Sequence, residues 1–378
     1  LMKIGIIKEV NSFENRVAIT PEIAKKLASL NHNILIESGA GEKAYITDKQ
    51  YTESGASISN KKTEVLESDI ILKVNAPTKD ELNYIKDGAT IITFFQIKDE
   101  IDHIDVYIKK KITLLSMSHV PRTTLAQNMD ALSSQSNIAG YKATIIGADH
   151  ISIYMPLLMT AAGTIKPAKV LIIGAGVAGL AAIANAKRMG AQVYAFDVRP
   201  VVKEQVESLG AKFIEVESDG DDGVGEGGYA KEVSDDYKKK QGELINKTIQ
   251  DIDLVITTAL IPEKPAPKLI DKSMVESMKP GSTIIDLAAL NGGNCELTKT
   301  DEIIEHNHVI IDGRSNIPST MPKHASQLYA KNLFNLFNHI YNENNELNME
   351  EEITNGSTLI NKGIVNNKLL QEFLDQRS

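Results

Sequence analysis

The stretch 169–197, "KVLIIGAGVAGLAAIANAKRMGAQVYAFD", constrains the fold more than any other segment of the chain. A β-branched run ends in Gly174, Gly176 and Gly179, spaced GxGxxG. An Ala-rich, helix-like run follows, and Asp197 closes the next β-branched run. A strand, a tight turn, a helix and a second parallel strand account for this order, and few other folds do. Gly174 allows the turn, Gly176 lets a ligand approach the backbone, and Gly179 permits close packing of helix on strand.

Similar alternation extends along the chain. "KIGII", "NILIE", "DIILKV", "ATIITFF" and "ITLLSM" interleave with helical stretches such as "TPEIAKKLASL", in which Pro21 suits a first helical turn. A second series follows Pro167: "KVLIIG", "QVYAFD", "AKFIEV", "DLVITT", "STIIDL" and "HVIID". At 378 residues the chain exceeds one ordinary core. The fold class expected is α/β, with two doubly wound parallel-sheet domains, the second a Rossmann domain. The first is expected over 1–137, completed by 322–378, and the second over 138–321. A long helix over about Leu125 to Asp149 should link them. Leu328, Leu333, Leu336, Phe337 and Ile340 should mark a helix returning to the first domain, with a weakly structured, Asn-rich tail beyond it. Glu217 to Glu243 breaks the pattern: its Gly-rich, acidic half suggests a mobile loop over about 217–230, followed by a solvated helix.

Composition narrows the partners. With a net charge of −9 and no Lys/Arg stripe interleaved with aromatics, no nucleic-acid footprint is evident. Cys295 is the single cysteine, so neither an internal disulfide nor a multi-cysteine metal site is expected, consistent with the cytoplasm. "LMKIGIIKEV" lacks signal-peptide character, and "VLIIGAGVAGLAAIANA" is shorter than the roughly 20 residues of a spanning helix. No histidine pair has HExxH spacing, and His306 and His308 read as a surface turn, so no metal is expected.

The glycine turn ends at a helix N-terminus, where free N–H groups and the positive dipole end suit a pyrophosphate. Asp197 is placed to accept hydrogen bonds from an adenosine ribose and to repel a 2′-phosphate, which favours NAD(H) over NADP(H). Arg199 argues the other way, since an arginine there can accommodate that phosphate.

A second concentration of polar chemistry lies earlier, in "SHVPRTTLAQNMDALSSQSNIAGY". Arg122 and Asp130 can form an ion pair beside a helix N-cap, a purely structural role that the residues alone would favour. Together with "KVLIIGAGVAGLAAIANAKRMGAQVYAFDVRP", "EGGYAKEVS", "TTALIPEKPAP" and "DLAALNGGN", however, this stretch resembles the NAD(H)-binding domain I of proton-translocating nicotinamide nucleotide transhydrogenase. The resemblance spans nearly the whole chain and is to the separate soluble alpha-1 subunit of that family.

It implies NAD(H) on this chain and direct hydride transfer to NADP⁺ on domain III of a beta subunit, coupled to proton movement by a membrane-domain subunit. The family's Arg–Gln–Asp loop falls on Arg122, Gln127 and Asp130, with Ser133 facing the nicotinamide. Cofactor contacts are implied at Thr123, Thr124 and Leu125, at Gly174, Gly176, Val177 and Gly179, at Asp197, Val198 and Arg199, and at Ala259 and Leu260. Gly228 and Tyr229 are implied to fold over the nucleotide. Leu125 stands where the family often carries arginine. A homodimer is implied, with NADP(H) confined to the partner, the nicotinamide held in the cleft between the domains, and peripheral attachment to the inner membrane through partner subunits.

The related alanine dehydrogenases are the alternative. Arg16 in "KEVNSFENRVAITP" and Lys73 in "ILKVNAP" resemble their substrate ligands. Yet the histidine and aspartate of that family fall on Gln96 and Leu290, neither of which can move the proton that amino-acid oxidation requires. A non-catalytic NAD-sensing module is the third reading.

Overall fold

The structure is a computed structural model, and it describes residues 2–216, 233–341 and 346–377. The chain divides into two compact units, one formed by residues up to Gln135 with those from Ser319 onward, the other by Ser136–Pro318.

The first unit begins with β1 (Lys3–Ile6), β2 (Asn33–Glu37), β3 (Ser57–Ser59), β4 (Ile70–Leu72), β5 (Thr90–Thr93) and β6 (Thr113–Ser116). The second contains a separate exposed hairpin, β7 (Leu158–Thr160) and β8 (Gly163–Ile165). Its main sheet is built from β9 (Lys169–Ile173), β10 (Gln192–Phe196), β11 (Lys212–Ile214), β12 (Leu254–Thr257), β13 (Thr283–Asp286), β14 (Ile303–His306) and β15 (Val309–Asp312). The chain then returns to the first sheet with β16 (Thr358–Asn361) and β17 (Ile364–Val365).

The first sheet runs β17-β16-β6-β5-β4-β1-β2-β3, parallel from β6 to β3. The second runs β11-β10-β9-β12-β13-β15-β14, parallel except at β14. Both are doubly wound α/β sheets, and the second has the Rossmann strand order. Their central strands are apolar at consecutive positions because both faces are covered. Val170 and Ile172 of β9 enter one core and Leu171 and Ile173 the other.

Three expectations change. Beyond Tyr341 the tail is structured among its described residues: β16 pairs antiparallel with β6, burying Leu359 and Ile360. Lys362 and Gly363 both have positive φ and join β16 to β17 as a two-residue turn, the geometry a tight hairpin needs. The linking helix is Ala131–His150, preceded by a 3-10 turn at Gln127–Met129. It starts late because Asp130 caps it, accepting from the Ser133 N–H at 2.9 Å. The helix Asp235–Ile249 is not wholly solvated: Tyr237, Gln241, Ile245 and Ile249, four residues apart, bury one face.

The helix Pro322–Ile340 belongs to the first unit and buries Ala325, Tyr329, Leu333, Leu336, Phe337 and Ile340. Leu328, expected in that stripe, is exposed at 39%, and Tyr329 holds the core position.

Candidate functional sites of the two units

The glycine turn leaves β9 at the point where strand order reverses between β9 and β12, the place where open α/β sheets receive ligands. Its three glycines have different physical causes. Gly174 has φ +97°, and a Cβ there would lie 2.6 Å from Thr258 Oγ1. At Gly179 a Cβ would lie 1.8 Å from the Gly174 carbonyl oxygen. Both are glycine because the fold demands it. Gly176 is different: φ −76° and ψ −164° suit any residue, and a Cβ would meet no described atom closer than Arg199 Nη2 at 3.8 Å. Internal packing does not explain this glycine, whereas a ligand pressed against the backbone at the start of the helix Val177–Arg188 would.

Asp197, at the end of β10, is buried and accepts four hydrogen bonds. Oδ2 takes Ala175 N at 2.7 Å and Arg199 Nη2 at 2.7 Å, and Oδ1 takes Arg199 N and Nε, each at 2.8 Å. The carboxylate therefore fixes the glycine turn and grips the guanidinium as a fork. Thr258 Oγ1 donates to the Gly174 carbonyl at 2.8 Å. Asn294 clamps Ala259, accepting from its N–H at 3.0 Å and donating to its carbonyl at 2.9 Å. Val177 and Val198 are half-buried and Leu260 is exposed. Gly228 and Tyr229 lie outside the described residues, as does the loop expected over 217–230.

In the first unit, Arg122, Asp130 and Ser133 come together. Ser133 Oγ donates to Asp130 Oδ2 at 2.5 Å and accepts from Arg122 Nη2 at 3.2 Å, while the guanidinium lies 3.7 Å from the same carboxylate oxygen. Asp130 thus serves both as helix cap and as counter-ion to Arg122. Gln127 is exposed on the 3-10 turn, outside this trio; Thr124 is exposed, Leu125 is 65% exposed and Thr123 is half-buried. The loop is held from below by buried Ala126 and Met129. It is held from the side by Asn332 and Asn335, which both donate to the Asn128 carbonyl at 2.9 Å.

A buried charged cluster lies at the β1/β4 reversal of the first sheet. Arg16 Nε and Nη2 donate to the two oxygens of Glu14, each at 2.8 Å, and Nη1 donates to Gln135 at 2.9 Å. Lys73 Nζ lies 3.3 Å from Glu9 and 3.5 Å from Glu81. Burial acts to raise the Glu14 pKa, but the hydrogen bonds and charge of Arg16, with Asn75, outweigh it and hold the carboxyl down at about 2. His119, ahead of the loop, is pushed by burial to about 4 and is neutral near pH 7. Gln96 and Leu290 are both exposed. His306 and His308 flank the Asn307 position of a tight hairpin turn between β14 and β15.

Sequence reasoning missed Thr258, Asn294, Asn332 and Asn335, the residues that hold the two loops in shape. Asn294 follows two glycines in "NGGN", a turn signal. Asn332 and Asn335, three apart on an otherwise apolar helix face, were the available hint of a polar attachment.

Fold and sites define a two-unit α/β protein with a Rossmann-type glycine turn in its second unit. Residues 5–139 match the family model "Alanine dehydrogenase/PNT, N-terminal domain" and residues 143–368 match "Alanine dehydrogenase/PNT, C-terminal domain". The chain belongs to the alanine dehydrogenase/PNT family. It is 46% identical over 374 residues to the first portion of the NAD(P) transhydrogenase alpha subunit of Rhodospirillum rubrum, a separate chain there; the match covers 96% of this chain and 97% of that one. A solved transhydrogenase structure from Sinorhizobium meliloti matches with TM-score 0.87 at 40% identity, covering 96% of this chain and 99% of that one. An L-alanine dehydrogenase structure matches all of both chains with TM-score 0.83 at 22% identity, an agreement of fold.

Among the described residues no helix is long and apolar enough to cross a membrane, and no group of three or more His, Cys, Asp or Glu residues is placed to hold a metal ion.

Proposed function

We propose that this chain is the NAD(H)-binding component of a proton-translocating transhydrogenase. Bound NADH supplies a hydride to NADP⁺ on a partner beta subunit, leaving NAD⁺ and NADPH, and a membrane-domain subunit couples the exchange to proton movement. The chain acts as a homodimer attached to the membrane only through those partners. The observation that carries the nucleotide reading is Gly176, a glycine without a packing cause beside a carboxylate at the end of the next strand. End-to-end similarity to a transhydrogenase subunit supports the choice of reaction.

Hydride transfer between two nicotinamides needs no general acid or base, so the residues' work is positioning. Gly174, Gly176, Val177 and Gly179 seat the pyrophosphate, and Asp197, Val198 and Arg199 take the adenosine half. Ala259 and Leu260 flank the cofactor, and Gly228 and Tyr229 cover it. Arg122, Gln127, Asp130 and Ser133, with Thr123, Thr124 and Leu125, orient the nicotinamide and meet the NADP(H)-bearing partner. Asp130 and Ser133 limit the rotamers of Arg122, which keeps its charge in one place.

The dehydrogenase alternative needs Arg16 and Lys73 to receive a substrate carboxylate. Both are engaged by buried carboxylates of this chain, which an incoming oxo acid would have to displace. Replacing Arg122 or Gln127 by alanine is the test: transfer to NADP⁺-loaded partner should fall by roughly tenfold or more while NADH affinity stays within about threefold. A chain that only senses NAD would show no partner-dependent transfer, and variants that transfer hydride normally would refute the assignment of this loop.

A further inference from the structure

We infer that the Arg199 side chain changes partners when the nucleotide binds: the adenosine ribose takes Asp197, and the displaced guanidinium moves onto the 5′-pyrophosphate. The inference rests on the NAD(H) reading of this unit and adds to it the role of Arg199, which the sequence left open between an adenosine contact and a 2′-phosphate receptor.

Acceptor capacity is the first ground. A carboxylate offers about four lone-pair positions. All four are filled at Asp197, by Ala175 N, Arg199 N, Arg199 Nε and Arg199 Nη2. The two backbone donors belong to the glycine turn and the 197–199 bend, so their loss would unmake the site. The two guanidinium donors belong to a side chain that can rotate. A ribose diol brings two O–H donors, and the positions it can take without disturbing the backbone are those two.

Charge placement is the second ground. Arg199 Nη2 lies 3.8 Å from where a Cβ of Gly176 would stand, so the guanidinium sits beside the first residue of the helix Val177–Arg188. A cation at a helix N-terminus opposes the positive end of the dipole, and here only the charge of Asp197 compensates it among the contacts described. An anion arriving at that helix end reverses the balance: it suits the dipole and offers the guanidinium a second bidentate partner. Releasing Asp197 to the ribose and acquiring the pyrophosphate therefore favour each other. Adenosine alone must displace Arg199 without giving it a phosphate.

The test compares ligands with and without the 5′-phosphates on the full chain. NADH binding is followed by its fluorescence, which this chain, having no tryptophan, scarcely obscures. Adenosine, ADP and 2′-AMP are measured as competitors. In R199Q adenosine should bind about fivefold more tightly, because Asp197 is released, while ADP and NADH should bind about tenfold more weakly, because one charge-assisted contact is lost. R199K keeps the charge and loses the fork, so adenosine should gain while ADP stays within about threefold of wild type. It also provides the comparison should R199Q fold poorly. Opposite shifts for adenosine and ADP support the exchange. Equal weakening of both, or no change in either, overturns it and leaves Arg199 a structural brace. A larger loss for 2′-AMP than for ADP overturns it in favour of 2′-phosphate reading. Wild-type protein that binds no NADH would overturn the NAD(H) reading itself, whereas wild-type binding with equal shifts in R199Q overturns this inference alone.

Discussion

Adding one methyl group at each of the three glycines should separate fold from function. In G176A the backbone is already extended, and the nearest described atom is 3.8 Å from the new Cβ. Alanine is a poorer N-cap than glycine but also restricts the unfolded chain, and these opposing effects leave the fold within about 0.5 kcal/mol of wild type. G174A must hold alanine at φ +97° with its Cβ 2.6 Å from Thr258 Oγ1, a cost of roughly 2–4 kcal/mol. G179A sets a Cβ 1.8 Å from a backbone oxygen that has no rotamer to escape into, for roughly 3 kcal/mol or more. At about 2–4 °C per kcal/mol, thermal unfolding should fall by roughly 5–10 °C for G174A and G179A and by no more than about 2 °C for G176A. NADH titration should then show at least a tenfold loss in G176A, about 1.4 kcal/mol, from the obstructed approach to the helix end. A G176A protein that binds NADH as wild type does would refute the assignment of this turn to a pyrophosphate. A G179A protein of wild-type stability would refute the packing argument.

Other consequences can be measured separately. Glu14 has its pKa held near 2 against an ordinary 4.5, so its contribution, about 3 kcal/mol, is present above pH 4.5 and is lost as pH falls from there toward 2. E14Q should therefore unfold in less urea than wild type at pH 7 and approach it at pH 3; an equal deficit at both would contradict the pairing with Arg16. Burial raises the Cys295 thiol to about 11, so a thiol reagent at pH 8 should leave the folded chain unlabelled and label one site in urea. Ending the chain after residue 350 removes fully buried Leu359, Ile360 and Leu370, roughly 6 kcal/mol of apolar burial. It also uncovers the edge of β6. That truncation should be aggregated or lack a cooperative melt in the first unit, and a soluble, cooperatively melting product would contradict the role given to the tail.

What the sequence revealed follows from how locally each feature is encoded. "KVLIIG" and "STIIDL" read as buried parallel strands because consecutive apolar residues report two covered faces. β16 escaped notice because its four residues lie in an Asn-rich tail and are stabilised by β6, more than 240 residues earlier in the chain. Its turn, "NKGI", carried a cue in Gly363. The late start of the helix Ala131–His150 was encoded in Asp130 followed three residues later by Ser133, but the apolar spacing of Leu125, Met129 and Leu132 masked it. For the sites, spacing located the glycine turn and Asp197 but could not tell Gly176 from its neighbours, since the difference lies in what surrounds each Cβ. Nor could spacing show that Arg199 fills the acceptor positions of Asp197, because the pair closes only when β10 and the turn after β9 are side by side.

Hydride transfer from NADH on this chain to NADP⁺ on a domain III partner, run beside a control of pyruvate with ammonia, tests the proposed reaction itself. NADPH formation that depends on the partner, with no NADH oxidation by pyruvate, is the predicted result. Oxidation that needs pyruvate and ammonia but not the partner would contradict it, and would require a proton-transferring group that Gln96 and Leu290 do not supply.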